Sequence, residues 1–175
     1  MDNLSFHITD ITANSVRAKA SEIYLSVTEK QGERIISVID NGCGMDAETL
    51  QQATDPFYTT RTTRRIGLGL PFLKQNAEQT GGNLTVCSTP GEGTTIRATF
   101  VADHLDCPPW GDLAITVALL ITGNPDVNVR FLYETDSKEF SIQTSEIKEA
   151  LEGIPLSHPR VTTWLTELIR ENLAP

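Results

Sequence analysis

The sequence has little of what a disulfide scaffold or a membrane protein needs. Its three cysteines show neither paired spacing nor metal-ligand spacing, which suits a reducing compartment. No apolar run approaches the ~20 residues of a membrane-spanning helix, and the longest, Leu113 to Thr122, falls well short. The chain opens with Asp2 and Asn3 rather than with the basic residues of a signal peptide. We therefore expect a cytoplasmic protein that does not enter a membrane.

Basic residues are also scarce, with 14 Lys and Arg against 23 Asp and Glu and a net charge of −9. A nucleic-acid surface needs clustered Lys and Arg, so this charge argues against a DNA or RNA partner. The deficit lies mainly after residue 102, because residues 103–175 carry five basic and twelve acidic side chains. We therefore predict two domains, 1–102 and 103–175. The acidic second domain presents either a solvated surface or a docking surface for a basic partner.

Apolar periodicity and turn residues predict the secondary structure of both parts. In residues 1–102 we expect helices at 4–20, 47–53 and 71–79, the second capped by Asp46, and hairpins formed by 22–29 with 34–39 and by 83–88 with 94–101. In residues 103–175 we expect helices at 113–121, 145–151 and 159–172 and strands at 127–135 and 139–144. The second part is therefore a small α+β extension that we expect to pack on the first.

A short glycine-bearing segment, Asp40 to Met45, follows an apolar strand. A carboxylate beside glycines offers a hydrogen-bond acceptor next to backbone that a flat ligand can approach closely. Adenine presents an exocyclic amine to such an acceptor. Taken alone, the segment is also consistent with an ordinary turn, because Asn-Gly is a common turn dipeptide.

Three further features point to phosphate chemistry. Asp10 and Asn14 lie four residues apart on one helix face, which is the geometry that a metal-phosphate site needs. The segment Gly67 to Leu70 opens a helix, and backbone N–H groups at such a start bind anions. Residues 55–66, directly before Gly67, carry three arginines and predict a lid that closes over a triphosphate. A solvated surface loop remains the alternative for that segment.

These segments, in this order, resemble the ATP-binding domain of the GHKL, or Bergerat-fold, superfamily, which includes gyrase, the heat-shock chaperone of ninety kilodaltons, histidine kinases and mismatch-repair ATPases. The resemblance covers about the first hundred residues. It implies an α/β (α+β) two-layer sandwich with helices on one face of a mixed, mainly antiparallel sheet. The matching segments are the N box at 10–15, the G1 box at 40–45, the F box at 55–61, the G2 box at 67–70 and the G3 box at 91–94.

The resemblance implies that ATP and Mg²⁺ are the ligands. It implies that Asn14 binds the Mg²⁺ ion and that Asp40 and Thr94 bind the adenine. Asp10 stands where many relatives carry the glutamate that activates water, and its side chain is one methylene shorter, which places fast hydrolysis in doubt. The other nucleotide contacts that the resemblance implies are Arg17, Gly42, Gly44, Met45, Phe57, Thr60, Arg61, Gly67, Leu68, Gly69 and Leu70.

The sequence leaves three functions open. The N-box helix begins almost at residue 1, and His7 within it fits a packing role better than that of a phosphoacceptor. We therefore expect a stand-alone regulatory kinase that phosphorylates a partner protein, or a slow ATPase that uses Asp10, with a non-catalytic ATP-dependent switch as the alternative. The partner is not identified, and the oligomeric state is left open, a homodimer included.

Overall fold

The computed structural model describes residues 3–55, 57 and 69–175. Within these ranges it contains six helices and six strands. The helices are α1 (Leu4–Arg17), α2 (Ala47–Thr54), α3 (Gly69–Gln79), α4 (Leu113–Thr122), α5 (Thr144–Leu151) and α6 (Pro159–Leu173). The strands are β1 (Glu22–Lys30), β2 (Glu33–Asp40), β3 (Asn83–Thr89), β4 (Gly93–Val101), β5 (Asn128–Thr135) and β6 (Glu139–Gln143).

The six strands form one sheet in the order β3-β4-β2-β1-β5-β6. Every neighbouring pair is antiparallel except β1 and β5, which run parallel. The predicted mixed, mainly antiparallel sheet is therefore confirmed. In β1, residues Ile23, Leu25 and Val27 are buried while the residues between them are only half-buried, so one face of the sheet carries the core.

The first helix ends earlier than the sequence predicted. We expected it to reach about residue 20, but it stops at Arg17 because Lys19 adopts a left-handed conformation with φ of 64°. The other predicted helices and both predicted hairpins of residues 1–102 agree within about two residues at each end. The predicted cap of α2 is also confirmed, since the Asp46 side chain accepts a hydrogen bond from the Thr49 amide.

The hydrophobic core is contiguous across both parts of the chain. Helix α1 contributes Leu4, Ile8 and Ile11, all fully buried, and the second part contributes Ile121 and Leu165. Strand β5 of the second part also lies directly beside β1. Whether residues 103–175 form a domain that folds by itself remains a prediction. Among the described residues, no helix is both long and apolar enough to cross a membrane.

His7 of α1 packs against α3, which agrees with the packing role that the sequence favours. Its side chain is fully buried, and its Nε2 atom lies 2.7 Å from the Asn76 Nδ2 atom, so the neutral ring accepts the amide hydrogen. The His7 Nδ1 atom has no hydrogen-bond partner within the described part of the chain. Burial lowers the pKa of His7 from 6.5 to about 4, because the charged ring would lose its hydration.

The buried His7 predicts that acid destabilises the fold. Between pH 6.5 and about 4 the unfolded chain binds a proton at His7 while the folded protein does not, so stability is lost as the pH falls through this window. From pH 7.5 to 5.0, we expect the wild type to lose about 2 kcal/mol more unfolding free energy than a His7→Gln variant. Urea denaturation at both pH values measures the difference, and equal losses in the two proteins would contradict this role.

Candidate functional site

Asp40 is a buried carboxylate at the carboxyl end of β2, with 8% of its surface exposed. Its Oδ2 atom accepts a hydrogen bond from Ser15 Oγ at 2.6 Å, and its Oδ1 atom accepts one from the Gly42 amide at 2.9 Å. Each carboxylate oxygen has two acceptor positions, so each keeps one for a further donor. The carboxylate is therefore fixed in orientation and still able to accept a hydrogen bond from a ligand.

Thr94 lies directly opposite Asp40 in the β2–β4 ladder. Its Oγ1 atom is 2.8 Å from Ser88 Oγ, which also accepts a hydrogen bond from the Met45 amide at 2.8 Å. This hydroxyl pair ties the end of the Asp40 to Met45 loop to strands β3 and β4. The structure thus brings Asp40 and Thr94 together, as the sequence predicted, and uses the backbone of Met45 to hold the loop.

The loop glycines are required by packing within the protein. Gly44 has φ of 70°, and a Cβ atom there would lie 2.1 Å from the Thr89 carbonyl oxygen. A Cβ atom on Gly42 would lie 2.7 Å from the Ala18 Cβ atom. These glycines therefore let the loop lie between the end of α1 and strand β3. That they also let a ligand approach the backbone remains a prediction.

Helix α1 presents Asp10, Asn14 and Arg17. Asp10 is half-buried, and this burial raises the pKa of its carboxyl group, while the positive charge of Arg17 acts in the opposite direction. The Arg17 guanidinium donates a hydrogen bond to the Asn14 Oδ1 atom. At the start of α3, a Cβ atom on Gly69 would lie 3.5 Å from Asp10 Oδ2, so the two helices meet at the carboxylate.

Of the remaining predicted site residues, the structure describes two, Leu70 and Phe57. Leu70 is buried with 5% exposure and belongs to the hydrophobic core, while the side chain of Phe57 is 80% exposed. Four of the predicted contacts lie outside the described residues: Thr60, Arg61, Gly67 and Leu68.

Sequence reasoning missed the roles of Ser15 and Ser88. Ser15 on α1 is 1% exposed, and its hydroxyl donates to Asp40. Ser88 joins Met45 and Thr94. Ser15 directly follows Asn14 in the N box, which is a signal in retrospect. Nothing in the local pattern identifies Asp40, 25 residues away, as its partner.

This arrangement can be compared with known proteins. The family model of the "Histidine kinase-, DNA gyrase B-, and HSP90-like ATPase" matches residues 2–104. The chain belongs to this ATPase family. The superfamily that the five sequence segments predicted is therefore confirmed.

Its curated relatives in this ATPase family include sensor proteins. Sensor histidine kinase YxdK of Bacillus subtilis is 29% identical over 105 residues, which is 56% of this chain and 32% of that protein. Sensor protein SrrB of Staphylococcus aureus is 35% identical over 103 residues, which is 55% of this chain and 18% of that protein. The chain thus spans about a third or less of the length of these relatives.

Two solved structures share the fold. The Aquifex aeolicus MutL ATPase domain complexed with ADP superposes with a TM-score of 0.53 at 16% identity, covering 87% of this chain and 68% of that chain. The N-terminal domain of a DNA repair protein superposes with a TM-score of 0.57 at 17% identity, covering 81% of this chain and 52% of that chain. Both confirm the predicted α+β fold class, and the likeness extends beyond the residues that the family model matches.

Proposed function

We propose that this chain binds ATP with Mg²⁺ and acts as a regulatory kinase or ATPase on or with a partner protein. The observation that carries the proposal is the Asp40 carboxylate, which is buried, held by Ser15 and the Gly42 amide, and opposite Thr94. A fixed acceptor of this kind matches the exocyclic amine of adenine. Membership of the ATPase family supports the same ligand. A cytoplasmic location belongs to the proposal.

The residues of α1 fit a metal-bound triphosphate. Mg²⁺ is held by oxygen ligands and substrate phosphates, and the Asn14 carboxamide oxygen is the ligand that we assign to it. When bound, the ion neutralises charge on the phosphate oxygens. In the structure the Arg17 guanidinium donates to this same oxygen, so it would have to turn away for Mg²⁺ to bind, and it would then be a charged donor for a phosphate.

The phosphate side of the site is completed, in this proposal, by the start of α3 and the segment before it. Gly69 lies against Asp10, so backbone groups at this helix start would lie close to the α1 face that carries Asn14. We assign phosphate contacts to this glycine-rich start and to the lid. Phe57, Thr60, Arg61, Gly67 and Leu68 are assigned to nucleotide binding in general.

The nucleotide preference tests this proposal. Isothermal titration with ATP and GTP, each with Mg²⁺, should show ATP binding at least tenfold more tightly. The 6-oxo oxygen of guanine would face the Asp40 carboxylate where adenine presents an amine, which leaves two acceptors opposed. Equal affinity for both nucleotides, or no binding of either, would contradict the adenine assignment.

The role of Asp10 separates an enzyme from a switch. If Asp10 activates water, Asp10→Asn should lower hydrolysis by at least ~100-fold, because general-base catalysis contributes that much, while ATP affinity stays close to wild type. Release of labelled phosphate from γ-labelled ATP measures turnover. Hydrolysis by the variant at the wild-type rate would exclude Asp10 as the base.

The two other functions give different results in the same assay. A kinase should transfer the label to its partner protein, and that transfer requires the partner. The alternative function, a non-catalytic switch, is favoured by the short side chain of Asp10. It predicts that wild type and Asp10→Asn both bind ATP and that neither releases or transfers the label.

A further inference from the structure

We propose that Trp110 is a positioning residue for the nucleotide site, acting through the segment Cys107 to Asp112, here called the strap. The strap fixes the first turn of α1, the helix that carries Asp10, Asn14 and Ser15. The effect on ATP affinity depends on the proposed function, whereas the hold on α1 does not.

The strap supplies hydrogen-bond acceptors to the start of α1. The first amides of a helix have no partner within the helix. Here the Leu4 amide donates to the Pro109 carbonyl at 2.8 Å, and the Ser5 amide donates to the Trp110 carbonyl at 2.9 Å. Ser5 Oγ donates to the same Trp110 oxygen at 2.5 Å. The first turn of α1 is therefore anchored to a segment more than a hundred residues away in the chain.

The Trp110 side chain fastens the strap to the sheet. Its Nε1 atom donates to Glu29 Oε1 on β1 at 2.7 Å, and Arg34 Nε on β2 donates to the same oxygen at 2.7 Å. The Arg34 guanidinium lies 5.5 Å from the centroid of the indole ring and also donates to the Pro108 carbonyl at 2.7 Å. A hydrogen bond to a charged group contributes more than a neutral one. Trp110 is thus held from its ring, its nitrogen and its backbone.

The strap also fits closely against the helix cap. Asn3 caps α1 by accepting a hydrogen bond from the Phe6 amide. Gly111 of the strap has φ of 77°, and a Cβ atom there would lie 2.5 Å from Asn3 Cγ. Movement of the strap would therefore disturb the cap and the first-turn amides together.

Helix α1 carries this restraint to the nucleotide site. Asn14 is ten residues beyond Leu4, or about 15 Å at 1.5 Å per residue. The strap lies beyond residue 104, where the family match ends. The orientation of the site helix therefore depends on a segment outside the matched ATPase region.

Two tryptophan variants test the inference. Trp110→Phe keeps an aromatic ring near the Arg34 guanidinium and removes the Nε1 hydrogen bond to Glu29. Trp164→Phe is the matched control, because Trp164 lies on α6 and is 41% exposed. In the protein without nucleotide, Trp110→Phe should speed hydrogen exchange at the Leu4 and Ser5 amides about fivefold. In a separate titration, the variant should bind Mg-ATP with a Kd about fivefold higher than wild type. Both changes correspond to the loss of a ~1 kcal/mol hydrogen bond. Trp164→Phe should change neither.

Linkage gives a reciprocal readout. If the strap and the site are coupled, bound Mg-ATP should slow exchange at the Leu4 and Ser5 amides more than at the Val161 amide in α6. Unchanged α1 exchange in a folded Trp110→Phe protein would overturn the inference, as would faster exchange with an unchanged Kd.

Two further outcomes are a Trp110→Phe protein that does not fold and a wild-type chain that binds no nucleotide. If Trp110→Phe does not fold, Ser5→Ala removes only the hydroxyl contact with the strap and is expected to change exchange and Kd in the same direction, and no change would overturn the inference. A wild-type chain that binds no nucleotide overturns the proposed function and the effect on affinity. The exchange of α1 without nucleotide then decides whether the strap holds the helix.

Discussion

Replacing Asp40 with asparagine should weaken Mg-ATP binding at least ~30-fold, which corresponds to about 2 kcal/mol. The carboxylate accepts from Ser15 Oγ on one oxygen and from the Gly42 amide on the other. Asparagine offers a single oxygen, so its NH₂ group would face one of these donors. The proposed adenine amine would also lose a charged acceptor. Both effects act in a buried position, where an unpaired polar group is costly.

A second carboxylate in the same loop provides the control. Asp46 caps α2 and is exposed, and asparagine caps helices as well as aspartate does. Asp46→Asn should therefore leave the Kd for Mg-ATP unchanged. Isothermal titration measures both variants, with circular dichroism to confirm folding. An unchanged affinity in folded Asp40→Asn protein would sink the assignment of the adenine pocket.

Gly93→Ala should destabilise the fold by at least ~3 kcal/mol. Gly93 has φ of 127°, which an L-residue rarely adopts, and a Cβ atom there would lie 2.0 Å from the Asp40 carbonyl oxygen. The clash is with backbone, so β4 would have to move away from β2. Because this contact lies beside the Asp40 carboxylate, we also expect the variant to lose nucleotide affinity.

Gly91 in the same turn separates backbone strain from the clash. It has φ of 79°, and a Cβ atom there would meet nothing within 4 Å. Gly91→Ala should cost only the strain of a left-handed residue, about 1 kcal/mol. Urea denaturation of both variants measures the two costs. A loss at Gly93 no larger than at Gly91 would show that β4 yields to the extra methyl group at little cost.

Local sequence signals were enough to predict the helices and the hairpins. Periodicity and turn residues predict the first hairpin from 22–29 and 34–39, and the structure pairs these two strands. The pairing of Asp40 with Thr94 was expected only from the order of the family segments, and the β2–β4 ladder places them opposite each other. These features depend on periodicity, turn residues or motif order, which a single sequence contains.

Long-range pairing could not be predicted in this way. The alternating pattern of β5 identifies a strand, but nothing in it names β1 as its neighbour, since any apolar edge would satisfy the pattern. The same holds for the Ser15 hydroxyl, because its acceptor, Asp40, lies 25 residues away in the sequence. The packing of Gly42 and Gly44 could not be predicted either, because their neighbours in space, Ala18 and Thr89, are distant in sequence.

The parallel pairing of β1 with β5 also has a consequence for synthesis of the chain on the ribosome. Glu22 pairs with Asn128, so β1 leaves the ribosome more than a hundred residues before its second neighbour exists. At about 5 to 20 residues per second, that delay lasts on the order of 5 to 20 s. During it, a strand with three buried apolar residues has a free edge that other nascent chains can pair with. Aggregation is therefore a greater hazard for the growing chain than for the finished protein.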